Sequence, residues 1–301
     1  MTELTPFLEA AIRTATPLLI AAIGETVSER AGAINIGLEG CIIAGAFAAY
    51  VIGGASGGGY AGSMLAGAMI GVIFAVLAVG LRKDQIIVGT ALTMLGLGVT
   101  GTLFRARDAG LTALVDTDAV VRVPLLSGIP VIGGALFAQP LITYIAVCLV
   151  PVTWWVLYRT HIGVTLRAVG ESPDAARAAG VRVRTTQACA VIVGSALGGL
   201  AGGALVLAQA GTFAEGMSAG RGFLAIAIVA LGRWRPAGVA LAAVVFGAAM
   251  ALQFVVQALG WTLRYELVLM IPYALTLAAL GAFGKGSAPA MLGGGRAAER
   301  D

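Results

Sequence analysis

Long stretches of this chain carry no charge, and that limits its fold more than any other feature. No Asp, Glu, Lys or Arg occurs within Gly40–Leu81, Gln85–Phe104, Val123–Tyr158, Thr185–Ala214, Gly222–Gly232, Pro236–Leu263 or Leu267–Gly284. A helix needs about 20 apolar residues to cross a hydrocarbon core, and most of these runs are long enough. Charged residues make up 11% of the chain, against roughly 25% in a soluble domain. The expected fold is an all-α polytopic membrane protein of about 8–10 transmembrane segments with broken helices.

Spans are expected at 7–24, 34–54, 60–81, 86–104, 140–158, 186–209, 237–257 and 265–283. The apolar piece 222–232 is too short to cross alone and reads as a half-helix, which needs protein or water around its ends at membrane depth. Residues 1–285 form one transmembrane unit and 286–301 a flexible cytoplasmic tail. Glycine contributes 44 residues, which suits close helix packing in lipid, where small residues let backbones approach.

Arginines set the expected orientation. The 159–184 loop holds Arg159, Arg167, Arg177, Arg182 and Arg184 against Glu171 and Asp174. Arg82-Lys83 and Arg233-Trp234-Arg235 mark two further basic connections, whereas Arg105, Arg107 and Arg122 are balanced by Asp108, Asp116 and Asp118. The positive-inside rule puts the basic connections in the cytoplasm and the balanced 105–138 loop outside. Glu25, Glu29 and Arg30 give the first span no clear direction.

An internal echo fits this topology. Ala61-Gly62, Leu65-Ala66 and Gly71 recur as Ala237-Gly238, Leu241-Ala242 and Gly247 with the same spacing, and the expected topology runs the first copy inward and the second outward. An inverted repeat leaves such a trace; so does chance agreement among small apolar residues.

The stretch RAVGESPDAARAAGVRVR, residues 167–184, is polar where most of the chain is not. Ser172 suits an N-cap, Pro173 the first helical position, and Asp174 the positive end of the helix dipole. The alanines propagate a helix and Gly180 suits its left-handed stop. About seven residues are too few to be helical alone in water, so this helix needs a surface to dock on. The alternative is a solvated loop whose arginines only fix topology.

The same stretch resembles the cytoplasmic coupling segment of permease subunits in bacterial ATP-binding-cassette importers of the ribose, branched-chain amino acid and nucleoside group. TPLLIAAIGETVSERAGAINIGLEGCIIAGAF (16–47) and GRGFLAIAIVALGRWRPAGVALAAVVFGAAMALQ (220–253) resemble two other signatures of that group, in the same order. Together they are most similar to the smaller of two permeases used for nucleoside uptake. The resemblance implies a multi-pass protein of the bacterial inner membrane. Its partners would be a second permease, a cytoplasmic ATPase that uses the ATP, an extracytoplasmic solute-binding protein and membrane lipid. It also implies an ATPase-coupling role for Arg167, Gly170, Glu171, Ser172, Pro173, Asp174, Ala175, Ala176, Ala179 and Gly180. In that picture Ala175, Ala176 and Ala179 form the contact face, and Gly170 and Gly180 are flexible ends.

Pathway candidates come from polar groups in apolar surroundings. Glu39 is the only charge between residues 31 and 81, and an intramembrane carboxylate is a functional candidate by default. Asn35, Gly37 and Gly40 around it suggest a broken helix facing a cavity; the other reading is a structural carboxylate satisfied by backbone or a basic residue. Arg221, between Gly220 and Gly222, is a similar case. Gln209, Gln253 and Gln257 suit either hydrogen bonding to a polar solute or bridging between helices.

Several classes fall away. Cys41, Cys148 and Cys189 have no paired spacing, His161 is the single histidine, and neither pattern suggests a metal site. No nucleic-acid partner is implied by the net charge of +4, since basic residues in membrane proteins report orientation. The N-terminus shows Glu3 and Glu9 rather than the basic start of a signal peptide. No GxxxxGK[ST] loop is present to bind ATP directly. A membrane-embedded enzyme would need converging acids, bases or metal ligands, and a passive channel would have no use for a coupling-type loop.

Overall fold

The computed structural model describes residues 4–53, 57–108, 114–122, 124, 132–258, 270–271, 274–277, 289 and 292. Among these, helices dominate. They are α1 (Leu4–Arg30), α2 (Leu38–Ile52), α3 (Gly58–Phe74), α4 (Gln85–Asp108), α5 (Ile132–Phe137), α6 (Leu141–Arg159), α7 (His161–Glu171), α8 (Pro173–Ala178), α9 (Val183–Leu205), α10 (Arg221–Leu231) and α11 (Pro236–Ala258). Wider π-helical turns extend α3 through Ala75–Gly80 and α9 through Val206–Ala210. Strands β1 (Val120–Arg122) and β2 (Ala138–Pro140) form a small antiparallel pair with Val121 opposite Gln139.

Among the described residues, five helices are long and apolar enough to cross a membrane: Thr5–Arg30, Gly58–Gly80, Gln85–Arg107, Leu141–Arg159 and Val183–Ala210. Three shorter apolar helices among the described residues are Leu38–Ile52, Arg221–Leu231 and Pro236–Leu252. The chain is an all-α polytopic membrane protein. The expected span at 265–283 lies mostly outside the described residues, of which 270–271 and 274–277 are helical. Two expected boundaries shift. The first span continues past residue 24 to Arg30, burying Glu25 and Glu29. The second starts at Leu38, because residues 31–37 are irregular.

The core is organised around α9, which packs against α1, α2 and α3. Its apolar window is 78% buried, compared with 28% for α6 on the periphery. Glycine permits this crowding. A Cβ on Gly24 of α1 would lie 2.6 Å from the Gly194 carbonyl oxygen of α9, and one on Gly194 would lie 2.7 Å from that of Gly24. Small residues therefore hold the inner helices at backbone contact, where packing rather than the hydrophobic effect drives association in lipid.

The sequence echo has a counterpart in this packing. Gly71 of α3 rests on Ser195 of α9, and Gly247 of α11 rests on Ala11 and Ala15 of α1. Each of α1 and α9 is followed by an irregular segment and then a short apolar helix, α2 or α10. The first turns of those short helices touch, since a Cβ on Gly222 would lie 2.5 Å from the Glu39 nitrogen. This is the arrangement that two copies of one three-helix unit, each packing its third helix on the other's first, would make.

Candidate functional site

Two regions hold the residues singled out from the sequence. The first is the contact between the N-termini of α2 and α10. Helix α10 starts after Ala219 (φ 46°) and Gly220 (φ 78°), both left-handed, which turns successive backbone N–H groups toward one point. Glu39 occupies it: its Oε1 accepts from Gly220 N at 2.8 Å and its Oε2 from Gly222 N at 2.6 Å. Both carboxylate oxygens thus satisfy amides that a helix start leaves unpaired, so the structural reading of Glu39 describes its geometry. Arg221 turns back on the segment before it, donating to the carbonyls of Met217 (2.8 Å) and Ser218 (3.1 Å).

Irregular backbone at membrane depth must find partners inside the protein, and residues 31–37 do. Gln85 Oε1 accepts from Ile34 N at 2.9 Å, Glu25 Oε1 accepts from Asn35 N at 2.8 Å, and Thr93 donates to the Ile36 carbonyl at 3.3 Å. Asn35 is buried and also donates through Nδ2 to Ser195 Oγ at 2.9 Å. The structure therefore brings Asn35, Glu39 and Arg221 into one neighbourhood around the broken helices. Gln209 is elsewhere: its side chain donates to the Arg13 carbonyl and bridges the end of α9 to α1. Gln253 and Gln257 lie outside the described side chains.

The second region is α7–α8. The sequence reading of α8 agrees with the structure at each local feature. Ser172 caps it, accepting from Ala175 N at 3.4 Å, Pro173 takes the first helical position, and Gly180 ends the turn at φ 83°. Asp174 and Arg177 pair at 2.6 Å on the exposed side. Helix α7 was not expected. Its start is marked by Thr160, whose hydroxyl accepts from Gly163 N at 3.2 Å, a capping signal that the loop reading passed over.

Two details of the expected contact face change. Ala175 and Ala179 are exposed, but Ala176 is 5% exposed and packs on Val169, Val181 and Val183. Ala176 thus fastens α8 to its own protein. Gly170 is also buried, inside α7, where its backbone lies directly against the Arg30 carbonyl. It is a packing glycine and not a flexible end, because a helical residue in backbone contact has no freedom to pivot. Arg167 lies with its guanidinium 5.0 Å from the centre of the Tyr158 ring, and Glu171 is exposed at the end of α7.

Sequence reasoning missed one cluster, beside α7 and at the opposite end of α10 from the α2 contact. Glu29 is buried in α1 and accepts from the Trp234 indole N–H. Arg30 donates to the Trp234 carbonyl at 2.9 Å and to the Tyr158 hydroxyl at 3.2 Å. The available signal was the i, i+4 spacing of Glu25 and Glu29, which puts both carboxylates on one helix face.

With this geometry of broken helices and a docked polar helix, comparison with known proteins becomes decisive. Residues 7–280 match the family described as branched-chain amino acid transport system / permease component. The chain belongs to that permease family. It is 34% identical over 288 residues to the nucleoside ABC transporter permease protein NupC of Lactococcus lactis, covering 91% of each chain. It is 34% identical over 294 residues to the guanosine ABC transporter permease protein NupQ of Bacillus subtilis, again covering 91% of each. It is 36% identical over 261 residues to the putative glucose ABC transporter permease protein TsgC13 of Haloferax volcanii, covering 85% of this chain and 79% of the relative. No solved structure matches. As a member of this permease family the chain is a multi-pass membrane protein, with α7–α8 and the α2–α10 contact as its two candidate working parts.

Proposed function

We propose that this permease is one membrane subunit of an ATP-driven importer that moves nucleosides across the bacterial inner membrane by alternating access. It would act with a second permease, a cytoplasmic ATPase that hydrolyses the ATP, and an extracytoplasmic binding protein. The observation carrying this reading is the 34% identity to the nucleoside and guanosine permease proteins, each over 91% of both chains. Helix α8 supports the ATPase partner. Six residues long, capped at Ser172 and presenting Ala175, Arg177 and Ala179 outward, it is a compact knob on the basic connection expected in the cytoplasm.

A simple sugar is the second reading, favoured by the 36% identity to the putative glucose permease protein. Proteoliposomes holding the permease pair and ATPase, supplied with binding protein, distinguish the two. ATP-dependent accumulation of labelled nucleoside, but not of labelled glucose or ribose, is the expected result. Sugar uptake alone would establish the second reading, and uptake of neither would end the claim about solute.

A further inference from the structure

The last turn of α1 is fastened to a different element on each side. Toward α7, the Gly170 backbone lies against the Arg30 carbonyl, leaving no space for a Cβ between them. The Tyr158 hydroxyl, held by Arg30 at 3.2 Å, belongs to a ring over which Arg167 of α7 sits at 5.0 Å. Toward α10, Arg30 Nε donates to the Trp234 carbonyl at 2.9 Å, and the Trp234 indole donates to Glu29.

Trp234 stands in a turn that the chain would not choose alone. It and Arg233 both have φ of 55°, a left-handed conformation that is costly for bulky residues and persists only where surrounding contacts impose it. The Trp234 N–H closes onto the Val229 carbonyl at 3.1 Å, tying the turn to α10. Helix α10 is an 11-residue rod, and its far end is gripped by Glu39 at Gly220 and Gly222. A continuous series of contacts therefore runs from α8 through α7, Arg30 and Trp234 to the α2–α10 contact.

We propose that Arg30 and Trp234 are positioning residues that transmit displacement of α7–α8 to the half-helix α10. The proposal rests on the importer reading, which makes α8 the point where force enters. Backbone contact at Gly170 does not compress. Arg30 grips two elements through different guanidinium nitrogens, a geometry that lysine cannot reproduce. Motion of α7 is thereby delivered to the end of α10 rather than absorbed by side chains.

The test uses the complete transporter with Arg30→Lys, which keeps the charge, and Trp234→Phe, which keeps a ring but removes the indole donor. Solute moved per ATP hydrolysed is expected to fall about tenfold in either variant, with binding-protein-stimulated ATPase activity within about twofold of the unmodified complex. Hydrogen exchange of the α10 amides supplies a readout independent of the solute. ATP is expected to change it in the unmodified complex and to leave it unchanged in Arg30→Lys. Parallel loss of uptake and ATPase activity would overturn the proposal, as would an equal α10 response in both proteins. If the α10 response appears in the unmodified complex and is lost in Arg30→Lys, but neither takes up solute with ATP, the importer reading fails while transmission through Arg30 stands.

Discussion

Glu39 joins two helix starts with a single side chain, accepting from Gly220 and Gly222 while standing in the first turn of α2. Glu39→Gln keeps the size but leaves one buried amide without an acceptor, so it should lower stability by about 1–3 kcal/mol. Thermal unfolding of the detergent-solubilised chain measures this, and an unchanged midpoint would show that the amides find other partners. Gly170→Ala should cost a similar amount, about 1–3 kcal/mol, because the new methyl must displace either α7 or the end of α1. Part of this site was legible in the sequence. Glu39 stood out because it was isolated among apolar residues, but its partners lie 181 and 183 residues away, beyond any local pattern. Glu25 and Glu29 were concealed differently. They sit beside Arg30 at the end of an apolar run, where charges ordinarily mark the membrane boundary, and only the fold shows that the helix continues and buries them.

Helix α8 could be read almost completely from sequence because caps and stops are local chemistry. Ser172, Pro173 and Gly180 act within four residues of themselves. The face it presents is a tertiary property, which is why Ala175 and Ala176 looked alike until α8 was seen against Val169 and Val183. Their substitutions should separate. Ala176→Glu would bury a charge among valines and free α8 from the protein, making the 172–182 stretch sensitive to limited proteolysis. Ala175→Glu should leave proteolysis unchanged and reduce co-purification of the ATPase, since Ala175 faces outward. Proteolysis patterns that match each other would contradict the division of faces. The short helices α2 and α10 were harder to place, because apolar runs reveal length but not where a helix breaks inside the membrane. Residues 31–37 are as apolar as a helix would be, and it is the bonds to Gln85, Glu25, Thr93 and Gln187 that show what replaces the missing ladder.

The whole bundle depends on α9 being thin. Gly199 of α9 faces the backbone of α3 at Gly67, so Gly199→Val should prevent the inner helices from closing and yield aggregated protein on size-exclusion chromatography. Gly98→Val on the outer side of α4, with nothing within 4 Å of its Cβ position, should elute normally. Equal behaviour of the two variants would argue against a glycine-packed centre. The broken helices at that centre carry a further consequence. A helix start ordinarily presents a partial positive charge, and α2 and α10 bring two such starts together. The Glu39 carboxylate stands between them, so the local field is cancelled from within. An anion brought to this point would find the anchorage already taken, whereas an uncharged group would meet no electrostatic trap there.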